Sequence, residues 1–509
     1  PDAITLSRLS AIRTINPEAH VFVEVTRSEN EGVVRAVGGV GTFPLDASRL
    51  VGLFLCHHLL VPGVDRLFEE LLSARGHEIY THLYVDAWEH RALDARAAKE
   101  GAGGTISFQA LQRFAQERHH VTLLGVFLGD RIDRKQRDLI PVDLLDAWVN
   151  PLAAAEAEGA STPDHIPLDR LQGIFGVADT YVPLRASGRE VLESVLAEPA
   201  PGEVHAARAV VESIDREVDA PMERVVVVGY GHALPALVDA LAHFVPGVSV
   251  RVVLCGDSPD AARWLRKCGI PKAGGRCSIE GGGRLAIERC ERDELSEIAA
   301  QRASVADAAV FLADADATDS DATVSMRVLR FANALRRGSD GAGPGADEDE
   351  AAEVFEEDGV DRSTTPLRLL VELDSRHRGA QLEGHLGGGM SQAETELVLV
   401  STDQIKNYFM VHSAFVPGVT SIYERLLGSR GQEIVRLPVA WLPDSQESFT
   451  FGGLRAALAG RGCIPIALSL DGELLVNPPC ARPLKRADLE AIYAVADMDS
   501  LDEIFPAQS

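Results

Sequence analysis

Long apolar runs of strand length alternate with helix-like segments across the second half of the chain. The runs at 224–229, 248–255, 308–313, 368–373 and 396–400 are separated by stretches such as 233–244 and 324–336, in which apolar residues recur at helical spacing. A further strand is expected near 277–279, with a helix near 293–301. This alternation is typical of βαβ units in a parallel sheet that is covered on both faces. The pattern predicts an α/β fold with a Rossmann-like sheet over residues 222–400.

Four blocks of sequence occur twice in the same order, which indicates an internal duplication. VPGVDRLFEELLSARGHEI at 61–79 matches VPGVTSIYERLLGSRGQEI at 416–434, which lies 355 positions later. The other matched blocks are 20–29 with 367–376, 149–151 with 476–478, and 168–179 with 486–497. Ordered repetition of this kind predicts tandem modules of about 280 residues, each with a sheet lobe, a helix pair and a smaller α+β lobe.

The repeat divides the chain into six predicted segments. They are the C-terminal part of a first Rossmann-like lobe (1–46), a helix-pair crossover (47–76), an α+β lobe with its linker (77–200), a second Rossmann-like lobe (222–400), a second crossover (401–430) and a second α+β lobe (431–509). Residues 338–365, rich in glycine and acids, predict a flexible insertion. Because Asp2 aligns with Asp321, the first lobe is expected to lack its opening strands, and an upstream segment or another chain is expected to supply them.

The helices of both pairs carry more apolar surface than one lobe can bury. The first pair covers 50–60 and 64–74, and the second covers 404–415 and 420–428. Apolar stripes of this kind mark packing surfaces. We therefore expect the two pairs to pack against each other as a flexible interface; the alternative is that they form one ordinary core.

Composition excludes some classes of function. The 509 residues include 76 acidic and 49 basic residues, for a formal net charge of −27, which disfavours binding to nucleic acid. The seven cysteines form no CxxC pair, so a disulfide framework is not expected and a reducing, cytoplasmic compartment is favoured. No apolar run reaches the about 20 residues that a membrane-spanning helix requires.

A glycine turn follows the first strand of the second Rossmann-like lobe. Gly229, Tyr230 and Gly231 stand where a dinucleotide-binding turn would bring backbone N–H groups to a pyrophosphate, and Asp257 ends the next strand, where a ribose-binding acid would lie. The third glycine position is occupied by Leu234, so the fingerprint is incomplete. The turn predicts binding of a nucleotide such as NAD or an adenine nucleotide; the alternative is a tight turn kept for folding.

Acidic residues cluster where the fourth strand of that lobe ends. Carboxylate oxygens are the ligands that Ca²⁺ prefers, and parallel-strand ends share one sheet edge, so the cluster predicts a calcium site; the alternative is helix capping. The spacing is not that of an EF-hand loop, and the chain contains neither a GxSxG elbow nor an HExxH helix, which favours a binding protein over an enzyme. The candidate calcium ligands are Asp314, Asp316, Asp319, Asp321 and, on the neighbouring strand, Glu372.

The tandem order of lobes resembles the RCK (regulator of K⁺ conductance) modules of ion channels, and more specifically the Castor and Pollux type. The segments that carry the resemblance are AHVFVEVTRSENEGVVRAVGG at 19–39, RLFEELLSARGHEIY at 66–80, and LLVNPP at 474–479 with DLEAIYAVAD behind it. The resemblance implies a homotetrameric gating ring on the cytoplasmic face of the membrane. In such a ring, binding of calcium or a nucleotide moves a pore region that lies upstream or in another chain.

Two other functions remain open at this stage. The chain could be a soluble regulatory subunit of a cation transporter, assembled with a separate membrane protein. It could also be an NAD(P)-dependent oxidoreductase, which would need a competent glycine turn and a proton donor.

Overall fold

The computed structural model describes most of the chain, with gaps. Part of the predicted insertion (340–365), the linker (194–221) and two candidate site residues, Asp257 and Asp316, lie outside the described residues. The described residues are 2–73, 76–100, 104–132, 146–152, 165–193, 222–256, 258–270, 274–314, 319–339, 366–386, 395–428, 431–437, 439, 442 and 447–497. We call residues 2–193 the first module and residues 222–497 the second module.

Among the described residues, eight strands belong to the first module and thirteen to the second. In chain order they are β1 (Val21–Val25), β2 (Thr42–Asp46), β3 (Glu78–Leu83), β4 (Thr105–Ser107), β5 (Thr122–Leu128), β6 (Asp146–Val149), β7 (His165–Pro167), β8 (Leu171–Ala178), β9 (Arg224–Val228), β10 (Ser249–Cys255), β11 (Gly275–Ser278), β12 (Arg284–Cys290), β13 (Ala308–Phe311), β14 (Leu367–Leu373), β15 (Thr395–Ser401), β16 (Gln432–Leu437), β17 (Ser448–Thr450), β18 (Ile464–Leu470), β19 (Glu473–Val476), β20 (Pro483–Lys485) and β21 (Leu489–Asp497).

Helices connect most of these strands. They are α1 (Asp2–Ile15), α2 (Glu31–Gly38), α3 (Ala47–Leu60), α4 (Val64–Leu71), α5 (Ala87–Glu100), α6 (Phe108–His119), α7 (Tyr181–Glu193), α8 (Leu234–Phe244), α9 (Pro259–Lys267), α10 (Leu295–Ala303), α11 (Ser320–Ser339), α12 (Arg376–Leu386), α13 (Thr402–Phe415), α14 (Val419–Leu426) and α15 (Phe451–Ala459).

A seven-stranded sheet forms the centre of the second module. Its order is β11-β12-β10-β9-β13-β14-β15, and every neighbouring pair is parallel except β11 with β12. Alternate valines of β9 face opposite layers: Val225 and Val227 pack with α8, whereas Val226 and Val228 pack with α10 and α11. Both faces are therefore covered, as the uninterrupted apolar runs predict, and the mixed α/β fold with a parallel sheet is confirmed.

The sheet contains one strand that the sequence pattern did not predict. The strand expected near 277–279 is the antiparallel edge strand β11, and the parallel neighbour of β10 is β12, which the apolar pattern did not indicate. Strand β12 reads RLAIERC, and the charge of its Glu288 is neutralised locally: Arg302 donates to both carboxylate oxygens at 3.0 Å, and Arg251 Nη1 lies 3.5 Å from Oε2.

The first module contains a much smaller parallel sheet. Strands β1 and β2 pair with each other, and Val23 and Val25 pack with Leu9 of α1 and Val34 of α2. In the sequence repeat, β1 and β2 correspond to β14 and β15 of the large sheet.

Two antiparallel sheets with the same strand order form the smaller lobes. They are β3-β8-β5-β6 in the first module and β16-β21-β18-β19 in the second. All seven residues of β5 and all eight of β8 are buried, because the sheet is covered on both faces. The two-stranded ladders β4-β7 and β17-β20 accompany them.

The helix pairs α3–α4 and α13–α14 lie between the modules and contact each other. The rings of Phe54 and Phe409 are 5.6 Å apart, and Tyr408 of α13 donates a hydrogen bond to the carbonyl of Leu71 at 3.1 Å. Helix α3 also packs closely on α8, because Gly52 leaves room for it: a Cβ at Gly52 would lie 2.6 Å from the Cβ of Ala236. The same apolar core therefore includes residues of both modules.

Two asparagines at matching positions of the repeat reach across to the opposite module. Asn477 Nδ2 donates to the carbonyl of His120 at 2.7 Å, and its Oδ1 accepts from Thr122 Oγ1 at 2.8 Å. Asn150 Nδ2 donates to Gln432 Oε1 at 2.5 Å and to the carbonyl of Gly462 at 2.6 Å. Both have positive φ, 46° for Asn150 and 48° for Asn477, a conformation that asparagine tolerates better than most residues.

Candidate functional site

The glycine turn lies at the carboxyl edge of the large sheet, where the strand order reverses. Among the strands of this sheet, β9 comes first in the chain. The later strands lie on one side of it, beginning with β10, and on the other side, beginning with β13. The crevice at such a reversal is where open α/β sheets bind ligands. The turn therefore lies where the sequence predicts a ligand, and it connects β9 to α8.

The two glycines of the turn allow close approach of other groups. Gly229 has φ of 91° and donates its N–H to the carbonyl of Val253 at 2.9 Å. A Cβ at Gly231 would lie 2.9 Å from the carbonyl oxygen of Ala313 and 3.1 Å from Glu372 Oε2. The structure thus brings a candidate nucleotide-binding residue, Gly231, against a candidate calcium ligand, Glu372.

The Glu372 carboxyl is buried between the glycine turn and the end of β13. Its Oε2 accepts a hydrogen bond from the backbone N–H of Ala313 at 2.9 Å. Burial raises the pKa of Glu372 to about 7, because the charged form loses its hydration; that hydrogen bond and Lys406 oppose the shift. Near neutral pH a proton therefore competes with any cation for this carboxyl.

Each described aspartate of the acidic cluster is bound to a donor of the protein. Asp314 pairs with Arg327 at 3.0 Å. Asp319 accepts from the N–H of Ala322 at 3.1 Å at the start of α11, as the capping alternative expects. Asp321 accepts from two backbone N–H groups after β14, those of Asp374 at 2.6 Å and of Ser375 at 3.0 Å. Among the residues that the structure describes, no three His, Cys, Asp or Glu side chains are grouped to hold a metal ion.

Arg327 of α11 is a site residue that the sequence pattern did not single out. Its side chain is 7% exposed, and Nη2 donates to Asp314 at 3.0 Å and to Cys255 Sγ at 3.3 Å. Nη1 has no hydrogen-bond partner within the described residues and lies 3.2 Å from the Cβ position of Gly229. Arg327 comes three positions after Val324, on the same apolar face of α11. This spacing is the sequence signal that could have predicted its burial.

A cleft of about 760 Å³ opens beside the glycine turn and lies between the modules. Tyr230, His232 and Trp264 form its wall in the second module, whereas Arg27 and Arg49 belong to the first. Ion pairs cross it: Arg27 with Asp260 at 2.5 Å, and Glu29 with Lys267 of α9 at 3.0 Å. A ligand held in this cleft would contact both modules.

Comparison with solved structures identifies the fold. The structure of the human SLO3 gating ring matches with a TM-score of 0.55 and 14% identity, over 97% of this chain and 84% of that one. The apo structure of translation elongation factor SelB from Methanococcus maripaludis covers 49% of this chain with a TM-score of 0.17 and 8% identity, which is too low to carry an argument. No family model matches the chain, and no curated protein matches it.

The expected gating-ring fold is thus confirmed, whereas the narrower Castor and Pollux assignment gains no support from this likeness. In the parts of the chain that are described, every helix is too short or too polar to cross a bilayer.

Proposed function

We propose that the chain is a regulatory gating-ring unit of a cation channel on the cytoplasmic side of the membrane. Ligand binding in the inter-module cleft changes how the two modules sit relative to each other, and this movement is passed to a pore. The gating-ring fold supports the proposal, and the observation that carries it is the cleft itself, which has walls from both modules beside the glycine turn. A ligand with different affinities for two module arrangements shifts the balance between them.

The ligand we propose is a nucleotide, either NAD or an adenine nucleotide, with its phosphates at the glycine turn. Arg327 Nη1 lies next to that turn and is buried without a partner in the described structure, so an anionic oxygen would satisfy it. Arg49 adds positive charge on the opposite wall, where Arg27 is already paired with Asp260. The cleft volume falls within the range of small-molecule and cofactor sites.

The calcium site stays a prediction with less support. For Asp314 to bind Ca²⁺ it would first have to leave Arg327, and Glu372 would have to give up its proton. Asp316, which belongs to the same predicted site, lies outside the described residues.

Calorimetric titration of the purified chain with NAD⁺, ATP and ADP tests the nucleotide proposal. We expect Arg327→Gln to weaken binding at least tenfold, because a buried charge-assisted contact to phosphate is lost. The control is Arg330→Gln, which removes the same charge from an exposed position of the same helix. Absence of binding at millimolar nucleotide, or equal affinities for the two variants, would contradict the proposal. A parallel titration with Ca²⁺ on wild type and Asp314→Asn tests the calcium prediction.

Assembly and catalysis separate the gating ring from its alternatives. We expect four copies to associate, and analytical ultracentrifugation of the chain measures this. A chain that stays monomeric alone and associates only with a separate membrane protein would favour the transporter subunit. Nucleotide binding combined with hydride transfer to a substrate would favour the oxidoreductase.

A further inference from the structure

Cys480 lies in the loop that follows Asn477, and this loop contacts the first turn of helix α15. The backbone N–H of Gly452, in the first turn of α15, donates to the carbonyl of Cys480 at 2.9 Å. A Cβ at Gly452 would lie 3.5 Å from the sulfur, so the thiol rests over the first turn of the helix. Helix N-termini stabilise negative charge, including that of a thiolate.

A buried guanidinium is aimed at the same sulfur. Arg455 is 8% exposed, and its Nη1 lies 3.6 Å from Cys480 Sγ. Its Nε has no hydrogen-bond partner, and no carboxylate of the described chain lies within ion-pair distance of it. Burial lowers the pKa of Arg455, and Cys480 and Glu117 of the first module act in the opposite direction. The guanidinium is therefore placed to hold an anionic group that forms at the sulfur of Cys480.

The other cysteines have different surroundings. Burial raises the pKa of the thiols of Cys56, Cys268, Cys277, Cys290 and Cys463. Cys255 accepts from Arg327 at 3.3 Å, but that guanidinium is already neutralised by Asp314 at 3.0 Å. Cys480 therefore combines contact with a buried arginine, a helix N-terminus and a half-buried position next to the exposed residues Pro479 and Ala481.

We propose that Cys480 is a modification site that hydroperoxides oxidise to a sulfenate, which Arg455 then holds. The thiol first loses its proton to solvent. The thiolate attacks the terminal peroxide oxygen, so that an S–O bond forms while the O–O bond breaks, and the departing oxygen takes a proton from water. The sulfenic acid formed in this way gives its proton to the hydroxide left by that water and becomes the sulfenate. The sulfur is oxidised by two electrons, and the peroxide is reduced to water or an alcohol. Once it takes up a proton again, the sulfenic acid can react with a free thiol from solution to form a mixed disulfide with loss of water.

Oxidation at this position acts on the contact between the modules. Cys480 is three residues after Asn477, which is bound to His120 and Thr122 of the first module. Gln116 of the first module also donates to the carbonyl of Pro478 at 3.4 Å. An added oxygen in the packed corner between this loop and α15 displaces the loop, and the loop carries the contact.

Sulfenate trapping on the full chain tests the assignment. The chain is treated with limiting H₂O₂ and dimedone, and mass spectrometry gives the labelling rate of each cysteine. We expect Cys480 to be labelled at least fivefold faster than Cys255 or Cys277. This ranking is measured in the wild-type chain, so it does not depend on the folding of any variant. Labelling of Cys480 at or below the rate of those two would overturn the proposal.

Two variants then separate the effect of Arg455 on labelling from the effect of solvent exposure of Cys480. Arg455→Gln should slow labelling of Cys480 at least fivefold, whereas Arg482→Gln, an exposed arginine two residues from the thiol, should leave it unchanged. Peroxide should lower the urea midpoint of wild type and leave that of Cys480→Ser unchanged. Equal peroxide sensitivity of these two chains would refute the link to the module contact.

Discussion

Asn477 joins the two modules through hydrogen bonds whose removal we expect to destabilise the whole chain. Its side chain is buried, and its Nδ2 donates to the carbonyl of His120 at 2.7 Å. Its Oδ1 accepts from Thr122 at 2.8 Å and from Gln116 Nε2 at 3.2 Å. These three partners belong to the first module, more than 350 positions earlier in the chain. Asn477→Gly tests these bonds, because glycine removes the side chain and accepts the φ of 48° without strain.

The expected cost follows from the groups left behind. The carbonyl of His120 loses this donor inside the interface, and a buried polar group without a partner costs about 1–3 kcal/mol. Thr122 keeps Gln116 Oε1 at 2.9 Å as an acceptor, so its loss is smaller, about 1 kcal/mol. We expect Asn477→Gly to lower the free energy of unfolding by about 2–4 kcal/mol. Asn477→Ala should cost a further ~1–2 kcal/mol, because alanine is strained at positive φ.

Urea unfolding followed by tryptophan fluorescence measures these differences. Asp471→Gly is the matched control, since Asp471 has the same φ of 48° but an exposed side chain, and we expect its midpoint to stay near that of wild type. A double-mutant cycle with Thr122→Val should give a coupling of about 1 kcal/mol. If Asn477→Gly shifts the midpoint no more than Asp471→Gly does, the amide contributes nothing to module docking.

Three further predictions concern buried groups. Because burial raises the pKa of Glu372 to about 7 in the folded chain, from an ordinary 4.5, its contribution to stability is present below pH 4.5 and is lost as pH rises through 7. Glu372→Gln should remove about 3 kcal/mol of that pH dependence in urea titrations at pH 5 to 8, and an unchanged pH profile would contradict the assignment. Gly52→Ala should lower the thermal midpoint by several degrees, because the new Cβ would lie 2.6 Å from a side chain of α8. The control Gly32→Ala, whose Cβ would meet nothing within 4 Å, should be neutral or stabilising. Equal thermal midpoints of the two variants would refute the close contact. Phe54→Ala should cost about 3–5 kcal/mol in urea, whereas Phe415→Ala, 80% exposed, should cost little, and similar losses would exclude the helix-pair contact as a stabilising core.

Much of the architecture is visible in the sequence because it depends on local periodicity. The valine run of β9 indicates a strand buried on both faces, and it is one. The repeated blocks contain segments that do form matching helix pairs and matching antiparallel sheets. Strand β12 was not predicted, because Arg284, Glu288 and Arg289 interrupt its apolar pattern. The ion pairs that neutralise Glu288 come from residues of other elements, so local periodicity does not reveal them.

The candidate site, too, was predicted partly from the sequence and was decided partly by the tertiary structure. Sequence alone placed the glycine turn and the acidic residues at strand ends, because strand boundaries follow from apolar runs and turn residues. Only the tertiary structure decided which donor each carboxylate meets: Arg327 for Asp314, and two backbone N–H groups after β14 for Asp321. It also decided that Glu372 is buried against Gly231. The physical reason is that desolvation and hydrogen bonding depend on distances between segments far apart in the chain, and local periodicity does not encode those distances.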